Sequence, residues 1–481
     1  MGKEIELKLD LVGDQSALVR SDPLFQEAES RTARQTSVYY DTPKKLLAKN
    51  GFSLRVRRSG EAFVQTLKRT VSSDGLFTRD EWEWEVPSEA LDCGKLDGLP
   101  VELPTEAEKL GRKLQPVLRS EVERTSWRLR QGSSNVQVDW DVGRLTADRQ
   151  CLDFAEIEFE LLEGTAADVV AAARALAERV PARLGVLSKA ERGAALADGA
   201  LDRVAKAAPV SITPDLTVAE AFAAIMHACL KHYRLNEQLV IRSRPADALH
   251  QARVALRRLR SAFSFFRPAI ADDRYLRLRE DLRWFTAQLG DARNLDVYLQ
   301  RELDGGERAA AGRRREQAYD QVVEAMNATK LRLLLIDLTG WAAIGPWRSG
   351  KLADRSIRGF ARKRLDKLWA TIAPTRGLLA QMDEDSRHRL RIQIKKLRYA
   401  VEFFRDVYPR TKRRKRFTEA VEGLQEALGK LNDLATARLL APELTGQAPQ
   451  ESAEETDNLR AAESFLEQLC DAGPFWQSAK A

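Results

Sequence analysis

The sequence predicts two domains, a mostly β half with some helix over residues 1–205 and an all-α half over residues 215–478, joined by a linker at 206–214. Three observations predict this. Up to about Ala205 apolar and polar residues alternate with period two in short stretches bounded by Gly, Pro, Asp or Ser; helical spacing intervenes only near Asp14–Val19 and Thr165–Val180. From about Thr213 the period becomes 3.6 and Ala, Leu and Arg dominate, with proline mainly at breaks such as Pro245, Pro268, Pro374 and Pro409. Charge divides at the same place: residues 1–200 hold 29 basic and 34 acidic side chains, the remainder 49 and 37, beneath a net charge of only +7. The second half is therefore suited to a polyanion. The boundary falls in Ala207-Ala208-Pro209-Val210-Ser211-Ile212-Thr213-Pro214, which has two prolines, no charge and a helix start after it.

At 481 residues and 44% hydrophobic content the chain can build more than one core. Cys93, Cys151, Cys229 and Cys470 show no C-x-x-C spacing, which argues against a disulfide framework or a thiolate metal cage and for a reducing compartment. No apolar run approaches the roughly 18–20 residues that span a bilayer, and Met1-Gly2-Lys3-Glu4-Ile5-Glu6 opens on charge instead of a signal-peptide core. A cytoplasmic protein without a membrane partner is expected.

In the β half, Glu4-Ile5-Glu6-Leu7-Lys8-Leu9 sets two carboxylates and an amine on one strand face and three hydrophobes on the other. The pattern recurs. Leu54-Arg55-Val56-Arg57 places two guanidiniums together; Arg79, Glu81, Glu83 and Glu85 oppose Trp82 and Trp84; Arg124, Ser126 and Arg128 share a parity; and Glu156, Glu158 and Glu160 oppose Ile157, Phe159 and Leu161. An antiparallel sheet with one solvated face would produce such alternation. Here, however, acids and bases are segregated by strand, and like charges two residues apart repel unless something of opposite sign sits among them. Clustered carboxylates suit Mg²⁺ or Mn²⁺, and clustered Arg and Lys suit phosphate oxygens. Strands closed into a barrel with these faces inward would hold a metal-bound polyphosphate.

These segments, taken in order, resemble the CYTH superfamily of triphosphate tunnel metalloenzymes over about residues 2–200. Glu4-x-Glu6-x-Lys8 is similar to its opening E-x-E-x-K, and Tyr39-Tyr40-Asp41-Thr42-Pro43 to its Y-x-D-T-P segment. Leu54 to Arg57 resembles L-R-x-R, Lys68 the tunnel lysine, Arg79-x-Glu81-x-Glu83 the R-x-E-x-E strand, and Arg124 with Trp127 the R-x-x-W strand. Asp141-Val142-Gly143, Glu156 to Glu160 and Ser188-Lys189-Ala190-Glu191-Arg192-Gly193 complete the match. The resemblance implies an α+β domain with an eight-stranded antiparallel tunnel that hydrolyses a terminal phosphoanhydride with Mg²⁺ or Mn²⁺. It implies Glu4, Glu6, Glu158 and Glu160 as metal ligands and Glu4, Glu6, Lys8, Glu81, Glu156 and Glu158 as the catalytic set. Lys8, Arg55, Arg57, Lys68, Arg79, Arg124, Lys189 and Arg192 would clamp phosphates. Asp139 shares the parity of Asp141, a local departure that leaves open which carboxylate faces the lumen.

The helical half contains an internal repeat. His250 to Arg267 aligns without a gap on His388 to Arg405, an offset of 138, and Leu289-Gly290-x-x-Arg293-Asn294-Leu295 corresponds to Leu428-Gly429-x-x-Asn432-Asp433-Leu434. At about 100° per residue His250, Arg253, Arg257 and Arg260 fall within an arc of roughly 80°, as do His388, Arg391, Lys395 and Arg398. Solvated helix faces normally mix acid and base at i,i+4, and these ridges contain no acid. For the histidines, structural hydrogen bonds and ligand contact both stand as readings; Phe265-Phe266 and Phe403-Phe404 are assigned to the core. The basic run Arg410–Arg416 is either more of this surface or a solvated helix start.

The repeated H-x-x-R-x-x-[LI]-[KR]-[KR]-L-R pattern resembles the CHAD domain across about residues 213–475. The resemblance implies two pseudo-symmetric four-helix bundles whose basic helices bind inorganic polyphosphate. Its contacts would be His250, Arg253, Arg257, Arg260, His388, Arg391, Lys395 and Arg398, flanked by Arg258 and Lys396. Asn294 departs from the family's usual Asp. The expected activity is cleavage of inorganic tripolyphosphate to pyrophosphate and phosphate, with polyphosphate bound by the helical half and concentrated near the tunnel. Competing readings are an organic triphosphate such as thiamine triphosphate or ATP, a non-catalytic polyphosphate-binding or granule-associated protein, and a nucleic-acid binder. Against the last stands the lack of aromatics interleaved among the cations.

Overall fold

A computed structural model describes residues 2–70, 77–445 and 453–477, in two compact units. The first contains Met1–Ala205 together with Asn327–Gly345, and the second Lys206–Met326 with Pro346–Ala481. The helical half is thus interrupted: one of its segments belongs to the core of the β unit.

The first unit has strands β1 (Gly2–Leu11), β2 (Ser30–Asp41), β3 (Phe52–Ser59), β4 (Ala62–Thr70), β5 (Phe77–Val86), β6 (Gln115–Gln131), β7 (Ser134–Ala147), β8 (Gln150–Glu163) and β9 (Ala182–Leu184). Their order is β5-β4-β3-β2-β6-β7-β8-β1, and β5 pairs back onto β1, which closes an eight-stranded antiparallel barrel. Beyond the stretch of β1 bound by β5, residues 9–11 pair with β9. Closure leaves the barrel strands without a long free edge, and period-two alternation then sends one parity of each strand inward. Leu7, Leu9, Ile157 and Phe159 point out into a core shared with helix α1 (Ala166–Arg179), while the charged residues between them face the lumen. That helix buries Val169, Ala172, Ala173, Leu176 and Ala177, an i, i+3, i+4, i+7, i+8 stripe that explains its seat on the sheet.

Helix α2 (Lys189–Ala197) starts with a reciprocal capping box between Ser188 and Glu191. The cap fixes the first turn so that Lys189 and Arg192 are both buried against the barrel. A side chain at Gly193 would place its Cβ 2.3 Å from Leu118, so the closing glycine of this motif permits the close helix–strand approach.

In the second unit one half comprises α3 (Val218–Ser243), α4 (Ala246–Ile270), α5 (Tyr275–Gln288), α6 (Gly290–Tyr298) and α7 (Gly305–Asn327). Helix α8 (Thr329–Ile344) follows in the first unit, and α9 (Ile357–Ile372), α10 (Glu384–Phe403), α11 (Lys412–Thr445) and α12 (Ala453–Ala472) form the other half. The repeat is visible as α3-α4-α5/α6-α7 against α9-α10-α11-α12. It differs at one place: the chain breaks at Leu289 between α5 and α6, whereas the corresponding Leu428-Gly429 lies inside the continuous α11. Phe265, Phe266, Phe403 and Phe404 are all buried, with the Phe265 and Phe404 rings 5.0 Å apart, so both aromatic pairs are core. The basic run at 410–416 holds a helix start: Arg414 N donates to Thr411 Oγ1 at 3.1 Å, and the Arg413 guanidinium donates to the Ala472 carbonyl. Of the polar stretch Thr445–Thr456, residues 446–452 lie outside the described residues, while residue 445 ends α11 and residues 453–456 begin α12.

Candidate active site

The barrel encloses a cavity of about 190 Å³. Register brings its charges together. Across β1 and β8, Glu6 faces Glu160, Lys8 faces Glu158 and Asp10 faces Glu156; across β7 and β8, Asp139 faces Glu158 and Asp141 faces Glu156; and Lys68 on β4 faces Glu81 on β5. Glu4, Glu6, Lys8, Arg55, Arg57, Lys68, Arg79, Glu81, Arg124, Glu158, Glu160 and Lys189 all line the cavity. Glu156 and Arg192 do not: Glu156 is fully buried behind the wall, where Arg192 donates to it at 2.9 Å and to Asp10 at 2.7 Å.

The wall has three electrostatic zones. In the first, Glu4, Glu6, Glu81 and Glu160 outnumber Lys68 and Arg79. Lys68 lies 2.7 Å from Glu4 and 3.0 Å from Glu81, and Arg79 lies 3.0 Å from Glu6. Burial, then the charge of Glu4, pushes the Glu160 carboxyl up to about 7 against the opposing pull of Lys68. Glu6 Oε1 is buried and accepts no hydrogen bond, its contact with Arg79 being an ion pair alone. Surplus carboxylate oxygens of this kind are the donor set of a hard divalent cation, so Glu4, Glu6 and Glu160, with Glu81 beside them, fit the metal that the sequence implied.

The second zone is internally compensated. Arg124 donates to Asp141 through two nitrogens at 2.6 Å, to Asp139 at 2.5 Å and to Glu158 at 2.7 Å. Lys189 reaches Asp141 at 2.7 Å and Glu158 at 3.0 Å, and also bonds Glu156; Lys8 bonds both Glu156 and Glu158. Burial alone would raise Asp141, but Lys189 and Arg124 hold it down at about 2. Asp141, Glu156 and Glu158 bring oxygens within 4.8 Å of one another, yet ammonium and guanidinium groups already occupy that space. Glu158 therefore sits with the cations, apart from the three other carboxylates assigned to metal. Asp139 and Asp141 are both buried and neither lines the cavity; together they clasp Arg124, which does.

The third zone is basic. Arg55 and Arg57 on β3 have buried Nε atoms without a hydrogen-bond partner. Burial, then Arg55 and Arg124, lowers Arg57 to about 10. Tyr39, on the facing strand, is lowered by Arg55, Lys189 and Arg57 despite its burial. Two guanidiniums with unspent donors facing a cavity have the chemistry to hold an anion.

Sequence reasoning passed over Gln137, Thr66 and Ser53 and gave Glu83 no role beyond its place in the R-x-E-x-E strand; all four also line the cavity. Their signal was parity: Gln137 is in phase with Asp139, Thr66 with Lys68, Ser53 with Arg55 and Glu83 with Glu81. Asp41 of the Y-x-D-T-P segment has a different place. Buried, it accepts from the amides of Thr42, Leu47 and Ala48 and so shapes the turn after β2.

In the second unit the two cation ridges converge on a groove of about 870 Å³. His250, Arg253 and Arg257 come from α4, Arg391 and Lys395 from α10, with Arg293 and Asp433 alongside. Arg253, Arg257 and Arg391 each keep a buried Nε without a partner. Burial lowers Arg253 to about 10, His250 to about 4 and Lys395 to about 7, neighbouring guanidiniums adding to each. Of the other predicted contacts, His388 lines an adjoining pocket that shares Arg391 and Asn432 with the groove, Arg398 donates to Gln425 of the groove wall and to Glu402, and Arg260 is not among the groove's lining residues. Arg258 is core, 1% exposed, with its Nη2 2.9 Å from Glu402 and its guanidinium over the Phe403 ring.

Comparison with known proteins follows this division. Residues 2–194 match the CYTH domain model and residues 224–442 the CHAD domain model. A Haemophilus influenzae inorganic triphosphatase is 32% identical over 205 residues, 40% of this chain and 54% of that protein, so the chain spans about half the length of that relative. Among solved structures, the CHAD domain from the plant Ricinus communis is 30% identical at a TM-score of 0.46, covering 57% of this chain and 93% of its own. A Hippeastrum protein, named as an adenylyl cyclase and described as having a dominant triphosphatase activity, is 20% identical at a TM-score of 0.31, covering 41% and 96%. A closed barrel with charge-segregated walls, followed by a duplicated helical array with a cationic groove, identifies the chain as a CYTH domain joined to a CHAD domain.

Proposed function

We propose that the chain is a metal-dependent inorganic triphosphatase whose helical unit binds inorganic polyphosphate. The observation that carries this reading is the segregation within the tunnel: four crowded carboxylates with two cations in one zone, and two guanidiniums with unspent donors in another. Glu4, Glu6 and Glu160 would hold a Mg²⁺ or Mn²⁺ ion, which when bound would supply Lewis-acid charge neutralisation at phosphoryl oxygens. Arg55 and Arg57 bind the polyphosphate oxygens, and their preorganised charge meets the charge that spreads over the equatorial oxygens of the transition state. Lys8 and Lys189, fixed by Glu156 from behind, keep their ammonium groups at the cavity wall. Water attacks the terminal phosphorus, a new P–O bond forms, the bridging P–O bond breaks and pyrophosphate leaves. Carboxylate oxygens of Glu4, Glu6, Glu81 and Glu160 line the same wall and can take the proton that the water releases.

An inorganic substrate is favoured over an organic one because Tyr39 is the single aromatic ring among the described lining residues, which leaves little for a base or thiazole to stack on. The Haemophilus influenzae relative, an inorganic triphosphatase, supports the same choice. A cytoplasmic location belongs to this proposal, supported by four free cysteines; no helix among the described residues is long and apolar enough to cross a membrane. The test is orthophosphate release from tripolyphosphate, ATP and thiamine triphosphate with and without Mn²⁺. Mn²⁺-dependent release from tripolyphosphate well above the other two is expected, and equal rates without metal would sink the reading.

The groove carries its own pH dependence. Burial, then Arg391 and Arg257, lowers the Lys395 ammonium to about 7, with Asp433 opposing and Arg253 adding to the fall. A polyanion favours the charged ammonium, so above pH 7 binding takes up a proton and affinity falls as pH rises. Lys395→Arg, which stays protonated, is expected to flatten the response between pH 7 and about 9. Calorimetric titration of polyphosphate in buffers of different ionisation enthalpy measures the uptake directly.

A further inference from the structure

Helix α8 lies in sequence among the helices of the second unit but clusters with the first. Its Leu333, Ile336, Gly340, Ala343 and Ile344 follow one helical stripe; Ile336 and Ala343 are buried in the same core cluster as Leu7, Leu9, Ile157 and Phe159, and Leu333 and Ile344 pack against it. Those four are the outward faces of β1 and β8, whose inward faces carry Glu4, Glu6, Glu158 and Glu160. Polar contacts frame the stripe. Arg174 of α1 donates to Asp337 at 3.1 Å, Arg183 of β9 to Asn327 at 2.7 Å, and Arg332 to the carbonyl of Ala177, one of the acceptors that the last turn of α1 leaves without an intrahelical partner. At the crossing point Gly340 faces Val170: a Cβ there would sit 2.7 and 3.0 Å from the two Val170 methyls.

We infer that the surface formed by α1 and β9 is a docking site for an apolar helix with a small residue at its crossing point, that residues 327–345 of this chain are its resident occupant, and that this helix backs the strands carrying the tunnel carboxylates. The tunnel unit is then not separable at residue 205, because its core is completed by a segment more than a hundred residues further on. This inference stands on packing and does not rest on the proposed reaction.

The sign of one substitution separates a docked helix from an undocked one. In a free helix Gly340→Ala lowers backbone entropy in the unfolded chain and stabilises. In the docked helix it overpacks against Val170. Hydrogen exchange by mass spectrometry on the full chain is therefore expected to show Gly340→Ala opening α1 and β9 faster by roughly tenfold or more, with Val170→Ala in the same chain restoring protection. Asp337→Ala, which deletes a partner of Arg174 without adding volume, is expected to raise exchange in α1 by a smaller factor and covers the case in which Gly340→Ala does not fold. Exchange in α1 and β9 at the wild-type rate in both variants, or a Gly340→Ala effect that Val170→Ala leaves in place, overturns the inference.

Discussion

Replacing Glu4 with Gln is expected to lower Mn²⁺-dependent phosphate release from tripolyphosphate by about two to three orders of magnitude, the loss typical of one preorganised electrostatic group. The substitution keeps the shape of the side chain and removes one charge from the most crowded zone of the tunnel. Lys68 retains Glu81 at 3.0 Å, so the local ion pairing survives. Glu4 is also the charge that contributes most, after burial, to raising Glu160, and neutralising it relieves that repulsion. Activity and stability should therefore move apart: catalysis falls steeply while the urea midpoint stays level or rises. Mn²⁺ titration followed by electron paramagnetic resonance should show weakened binding. Turnover within threefold of wild type would remove Glu4, and with it the carboxylate zone, from the proposed mechanism.

The second large effect is expected in the groove. Arg257→Ala with Lys395→Ala takes away one cation from each copy of the repeat, at positions where both ridges meet. Each deleted phosphate contact should lower the dependence of log affinity on log salt by about 0.7, so the pair should flatten the slope by roughly 1.4 and cost about ten- to a hundredfold at low salt. These side chains repel their neighbours in the free protein, so the double variant should lose no thermal stability. Arg260→Ala and Arg398→Ala, on the same sequence ridges but off the groove wall, should bind long-chain polyphosphate close to wild type. Retention measured with RNA as competitor distinguishes this surface from a general polyanion trap. If the two off-groove variants lose as much as the groove pair, the ridge acts as a whole and the groove has no special role.

Much of this was legible in sequence because strand and helix periodicities report which side chains share a face. Once their segments are strand and helix respectively, Glu4, Glu6 and Lys8 share one face, and so do His250, Arg253 and Arg257. Parity also held Gln137 and Thr66 in view, although neither carries a charge to draw notice. What periodicity cannot report is which faces meet. The placement of Glu158 among Lys8, Arg124 and Lys189, away from the surplus carboxylates, follows from the register of β8 on β7 and β1 and from the capped entry of α2. That Arg398 turns to Gln425 and Glu402 while Lys395 lines the groove follows from how the helices pack.

By itself, then, the sequence determined the two classes of secondary structure, the shared parity of the acidic and basic residues and the duplication of the cationic helix, since all three can be read from residue spacing along the chain. Only the tertiary structure decided that the tunnel wall divides into surplus-acid, compensated and surplus-base zones, and that α8 completes the core of the β unit. Those outcomes depend on pairs brought together between separate elements, from Arg124 with Asp141 to Lys8 with Glu156 and Arg174 with Asp337, where desolvation and packing select partners that local periodicity leaves unspecified.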